Sequence, residues 1–159
     1  WLALHLGEEA FVVSRLDAGT SGVLWLARTR AASALAQRVH ESGQARKTYV
    51  FLSAVDARAA GMPTAWTRED ALDGKPARTE YVRLSHDPVA DVSVVAVVMH
   101  TGRRHQIRRH FALAGFPVMG DPAYGRNNRN AGGLKLTACG LEFNCPFTGQ
   151  PLKFELPAG

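Results

Sequence analysis

VSVVAVVMHTGRRHQIRRHFALAG, residues 92–115, joins two segments of different hydrophobic period. Its first part, Val92–Met99, is a near-continuous apolar run rich in β-branched side chains. Such a run predicts a central strand buried on both faces. It is far too short to span a bilayer. After the Thr101-Gly102 turn, Ile107, Phe111 and Ala114 fall on one face of a helix that Gly115 ends. Upstream, TEYVRL (residues 79–84) alternates and KTYVFLSAV (residues 47–55) is β-branched and aromatic, so both predict strands. Between them, residues 56–77 carry Gly61, Pro63, Gly74 and Pro76 and predict a long excursion with little regular structure.

Further upstream, Ala31, Leu35 and Val39 recur at helical spacing, with Thr29 placed to cap the start and Gly43 to end the helix. Residues 11–26 are apolar at both ends around RLDAGTSG, which predicts strand, loop, strand, with Gly19, Ser21 and Gly22 outside regular strand. Downstream, short strands are expected around turns at Gly120-Asp121-Pro122, Gly132-Gly133 and Thr148-Gly149. Strands outnumber helices and do not alternate with them. The pattern therefore predicts an α+β fold with a mixed, mostly antiparallel sheet and flanking helices, not a doubly wound parallel sheet.

The chain has 159 residues, 46% of them hydrophobic and 21% charged, which is the make-up of one globular domain with a proper core. It opens on Trp1 rather than Met, as would a chain that has lost residues upstream, and it shows no signal-peptide pattern. A formal charge of +5 suits a polyanionic partner. Two cysteines, Cys139 and Cys145, exclude a disulfide framework and a Cys-rich zinc site, and read as core or near-core thiols of a cytoplasmic protein. HExxH, CxxC, GxGxxG and Walker patterns are all missing from the sequence, so neither a metal nor a nucleotide cofactor is expected.

The densest basic cluster is Arg103, Arg104, Arg108 and Arg109, and no acidic residue lies anywhere in residues 92–120. Arg104 and Arg108 are four apart on the expected helix and share a face, which calls for an anion or a carboxylate between them and favours a patch facing nucleic acid or phosphate over a solvated basic face. Arg126 and Arg129 extend the basic surface through a Gly/Asn-rich loop. Asp17, in its Gly/Ser/Thr-rich loop, reads either as an Asx-turn residue or as an accessible nucleophile or base. Ser21 does not make a nucleophile elbow, because Val23 stands where the second glycine is required.

RLDAGTSG, KTY, ARTEY, TGRRHQIRRH, GDPAYG and LEFNCPFTGQPL together resemble, in order and spacing, the RluA-type pseudouridine synthases. The resemblance covers residues 11–156. It implies a pseudouridine synthase catalytic domain, an α+β fold split by a basic cleft, spanning the whole chain without an S4-type RNA-binding domain. Trp1 falls just before the first motif, so the family's usual N-terminal strand segment is expected to be absent. The implied reaction is isomerisation of uridine in structured RNA, rRNA or tRNA, with no cofactor. The resemblance makes Asp17 the nucleophile and gives Tyr49 the role of the tyrosine that packs against the base and carries a proton. It makes Arg108 the arginine paired with that Asp, and Arg15 the arginine that helps extrude the nucleotide. Lys47, Arg103, Arg104, Arg109, Arg126 and Arg129 are then expected to contact RNA phosphates. A guanidinium forked onto Asp17 would keep it ionised and aimed. Ser14, Met99-His100 and Thr137-Ala138 depart from the family pattern and mark a divergent subgroup. The competing expectation is a catalytically silent RNA-binding or RNA-folding module on the same scaffold.

Overall fold

A computed structural model describes residues 5, 7–54, 63–125 and 132–157. In chain order the elements are β1 (Phe11–Val12), β2 (Ser21–Gly22), β3 (Leu26–Ala27), α1 (Arg30–Glu41), β4 (Arg46–Ser53) and β5 (Ala65–Arg68). They continue with β6 (Thr79–Asp87), β7 (Val92–Met99), α2 (Gln106–Leu113), β8 (Leu136–Asn144) and β9 (Pro151–Glu155). The main sheet runs β2-β8-β4-β7-β6-β5, with β9 also on β8, while β1 and β3 pair separately. Every pairing is antiparallel except β2 with β8, so the mixed, mostly antiparallel α+β fold is the one found.

The apolar run forms β7, between β4 and β6. It is central in the sheet but not buried on both faces. Ser93, Val95 and Val97 are buried, whereas Val94, Ala96 and Val98 are only half-buried. On that second face the register neighbours continue with Val82 opposite Ala96, and Val82 is 44% exposed. The buried face carries the main core, in which Phe111 of α2 packs between Phe51 of β4 and Tyr81 of β6, with ring centroids 4.3 and 4.5 Å away. Burying a side chain of this size contributes about 1.5–3 kcal/mol. His110 of α2 is buried beside it and bonded to Thr79 and to the Asp70 carbonyl, which makes it a satisfied core histidine.

Helix α1 starts as its sequence predicts, since Thr29 Oγ1 accepts from the Ala32 N–H at 3.1 Å. Gly43, at φ +75, turns the chain away after its C-terminus. Helix α2 starts later than expected, at Gln106, so Arg104 lies in the preceding turn and shares no helical face with Arg108. The excursion between β4 and β6 also holds more structure than expected, because β5 adds a strand to the sheet edge and Leu72 bridges Lys75.

Ser21 and Gly22 form a strand after all. Gly22 sits at φ +111 with its α-carbon so close to β8 that a Cβ would stand 2.0 Å from the Ala138 carbonyl oxygen. Glycine is what lets the loop holding Asp17 be clamped to the sheet. Gly22→Ala should therefore lower stability by about 1–3 kcal/mol, through left-handed backbone strain and overpacking against rigid main chain. A thermal melt of the variant, lower by several degrees, is the check.

Candidate active site

A cavity of about 110 Å³ opens where the β1–β2 loop, β4 and the segment before α2 meet. That is several times the space one water needs. Asp17, Tyr49 and His105 line it, together with Arg15, Lys47 and Arg103. The Thr20 N–H closes a turn onto the Asp17 main-chain carbonyl at 2.9 Å, while the Asp17 side chain makes no Asx-type bond to its own loop among the described residues and meets Arg108 and His105 instead.

A bulge lies beside Tyr49. Between Thr48 and Tyr49 the β4–β8 register shifts, from Thr48 opposite Gly140 to Tyr49 opposite Ala138, and Cys139 is the extra residue. Lys47 and Tyr49, two apart on β4, share one face of the strand. Burial pushes the Tyr49 phenol up to about 12, with the Asp17 charge adding to it.

Arg108 does not line the cavity. It lies behind Asp17 in the first turn of α2, 5% exposed, and sends Nη1 toward Asp17 Oδ2 at 3.4 Å. Its stronger partner is Asp121, which accepts from Nε and Nη2 at 2.8 Å each and has a fully buried carboxylate. The fork expected on Asp17 is therefore spent on Asp121, and Asp17 keeps a single, longer contact. Asp121 also accepts the N–H groups of Ala123 and Tyr124 at 2.9 and 3.1 Å. Burial would raise this carboxyl, but the Arg108 fork and the two N–H groups outweigh it and hold it low.

The rest of the frame is set by TGRRHQIR. Buried Gln106 accepts from Thr101 Oγ1 and the Arg103 N–H, and donates to the Arg78 carbonyl and Thr79. His105 takes a left-handed backbone at φ 52, rare for a non-glycine residue. Its Nδ1 meets the Tyr124 hydroxyl at 2.9 Å and its Nε2 stands 3.9 Å from Asp17 Oδ1. The Tyr124 ring in turn stacks 5.1 Å from the Arg108 guanidinium.

The expected phosphate contacts separate into groups. Arg15, Lys47 and Arg103 are at the cavity. Arg104 is exposed and away from it. Arg109 is forked onto Asp73 at 2.8 and 3.0 Å. Arg126 and Arg129 lie outside the described residues. The acid-free stretch before Gly120 thus draws its carboxylates from elsewhere in the chain. The sequence alone does not single out Asp121, His105, Gln106 or Tyr124. Their signal is present in the GDPAYG and HQIR motifs, where a buried-turn Asp and a motif His are there to be read. Among the described residues no group of three or more His, Cys, Asp or Glu is placed to hold a metal ion.

A family model described as RNA pseudouridylate synthase matches residues 2–113. The chain is 34% identical to the tRNA pseudouridine synthase C of Pectobacterium carotovorum subsp. carotovorum, over 95% of this chain and 48% of that protein. It is 32% identical to the ribosomal large subunit pseudouridine synthase D of Nitrosomonas europaea, over 94% of this chain and 48% of that protein. Human RNA pseudouridylate synthase domain containing 1 superposes with a TM-score of 0.84 at 26% identity, covering 99% of this chain and 72% of that one. The chain spans about half the length of the curated relatives it matches.

Proposed function

The chain belongs to the RNA pseudouridylate synthase family, and from that premise we propose that it isomerises specific uridines of structured tRNA or rRNA to pseudouridine. The observation that carries this reading is Asp17 and Tyr49 facing one cavity, with Arg108 behind the carboxylate. Relatives named for tRNA and for ribosomal RNA support both substrate classes.

The target base is stacked in RNA, so the nucleotide is flipped into the cavity at a cost of a few kcal/mol. Stacking on Tyr49 offsets this by about 1–3 kcal/mol. Asp17 acts as the nucleophile on the flipped nucleotide, and the bond it forms breaks again before the product leaves, which returns the free carboxylate. The N1–C1′ bond breaks, the base turns, and C5 bonds to C1′. C5 then loses its proton and N1 gains one, so substrate and product are isomers and no oxidant or co-substrate enters. The Arg108 guanidinium gives Asp17 one hydrogen bond and, because its fork is held by Asp121, does not cover both carboxylate oxygens. With its phenol near 12, Tyr49 keeps its proton at neutral pH and serves as a neutral ring and hydrogen-bond donor rather than a ready base. Arg15, Lys47 and Arg103 hold the RNA backbone at the cavity, with Arg104 extending the contact. Arg109 gives up part of its charge to Asp73. A reaction on tRNA or rRNA fits a cytoplasmic location. Among the described residues no helix is long and apolar enough to cross a membrane.

The test offers the protein uridine-labelled tRNA and rRNA transcripts and scores pseudouridine by carbodiimide derivatisation and primer extension. Product at discrete positions is expected. Folded protein that binds RNA but yields no product on total RNA from cells lacking the gene would assign it to the silent-module reading instead.

A further inference from the structure

The basic side chains at and near the cavity differ in what holds them, and Arg103 donates its Nε to the Pro76 carbonyl at 2.8 Å. Arg108 has Asp121 and Asp17, Arg109 has Asp73, and His100 meets Glu80 at 3.1 Å. Lys47 differs. No carboxylate among the described residues pairs with it, and its Nζ meets only His40 Nε2, at 3.4 Å. Lys47 stands on the wall between the Asp17 cavity and a second recess of about 150 Å³, whose lining includes His40, His100, Gly102 and Arg103. At Gly102 the chain presents bare backbone to the pair, and a Cβ there would come 3.9 Å from Lys47 Nζ and 4.0 Å from His40 Nε2. His40 Nδ1 is buried without a partner. A half-buried ammonium with no carboxylate in contact among the described residues costs free energy that an incoming anion recovers.

We propose that Lys47 and His40 form a seat for one phosphodiester of the RNA strand, next to the nucleotide whose base enters the Asp17 cavity. His40 Nε2 accepts one Lys47 proton and so aims the remaining ammonium protons at the phosphate. His40 is a positioning residue here, and the phosphate contact is made by Lys47. The proposal rests on the reading of this protein as an RNA enzyme, and to the phosphate contact already expected of Lys47 it adds the place of that phosphate and the residue that orients the lysine.

Burial holds the Lys47 ammonium down to about 8, and burial followed by the Lys47 charge lowers the His40 imidazole. His40 therefore stays neutral as an acceptor. A phosphate raises the lysine pKa on binding. Its contribution to affinity is thus complete below about pH 8 and is lost as pH rises through the bound value. The other groups facing the pair are Glu41 on α1, and His100 and Arg103 after β7. From the cavity side Arg15, Asp17, His105 and Tyr49 face it.

Fluorescence anisotropy with a labelled single-stranded oligouridylate, between pH 6.5 and 9.5 and across a salt series, tests this. Lys47→Met should weaken binding about tenfold at pH 7 and reduce the slope of log K against log salt by about 0.7, one phosphate on a single strand. Lys47→Arg keeps its charge throughout, so it should bind about as tightly as the wild type at pH 7 and show no decline between pH 8 and 9.5. His40→Ala should retain the salt slope and weaken binding severalfold. An unchanged slope in folded Lys47→Met, or a Lys47→Arg profile that still declines like the wild type, would overturn the proposal. The readout is binding, so it separates from the function above. A changed slope without any pseudouridine leaves the seat standing and removes the activity, and product with an unchanged slope does the reverse.

Discussion

Asp17→Asn should cut pseudouridine formation by at least about a thousandfold while RNA affinity stays within about twofold of wild type. The amide has nearly the shape of the carboxylate but is not a nucleophile. The variant should also stay folded, because Arg108 does not depend on Asp17. Its two 2.8 Å bonds go to Asp121, and the substitution weakens only the single bond at 3.4 Å. Single-turnover kinetics beside a binding isotherm and a thermal melt would measure all three quantities on one preparation. Activity retained in Asp17→Asn would take Asp17 out of the mechanism. A large fall in melting temperature would show that the Asp17–Arg108 pair carries more of the structure than its length suggests.

The opposite split is expected at Asp121. Asp121→Ala leaves a guanidinium buried with only Asp17 to meet it, and strands the Ala123 and Tyr124 N–H groups. Removing one partner of a buried pair costs about 3–5 kcal/mol. For a chain of this size that is a melting temperature lower by roughly 10 °C. Arg108 would then be free to close its fork on Asp17 and cover the proposed nucleophile, so turnover should fall as well, in kcat rather than KM. Asp121→Asn keeps the shape and one acceptor, so it should melt between wild type and Asp121→Ala. The pH dependence follows from the depressed carboxyl. Because the folded value lies below the ordinary 3.8, the stabilisation is fully present above that value and is lost as pH falls below it. Acid titration of wild type should show this loss, and Asp121→Asn should show less of it. Identical acid unfolding in the two proteins would mean that the Asp121 charge contributes little.

These two results separate residues that look alike in the sequence. Both are aspartates in Gly-containing loops, and the motifs single out Asp17 while Asp121 reads as a turn residue. The difference lies in reach. Asp121 and Arg108 are 13 residues apart, and Asp17 and Arg108 are 91 apart. Nothing within a turn of either aspartate says which carboxylate receives the fork. The same holds for Arg109, whose partner Asp73 comes from an excursion that predicts little regular structure. It holds also for Lys47, whose lack of a carboxylate partner among the described residues shows only once α1 and the segment after β7 have been packed beside it.

What is legible in the chain is what short-range chemistry encodes. The valine-rich run of β7, the Thr29 cap and the Ile107–Phe111 face of α2 each depend on neighbours within a few residues, so periodicity and capping reveal them. The family motifs point to Asp17, Tyr49 and Arg108 as a set because each motif is local. Tertiary packing decides the rest. It leaves the second face of β7 only half-covered and draws Ser21 and Gly22 into a strand against β8. It also divides the charges, giving Arg108's fork to Asp121, Asp73 to Arg109 and only a neutral His40 to Lys47. Electrostatic partners and desolvation depend on which distant segments meet, and that is a property of the folded chain rather than of any stretch of it.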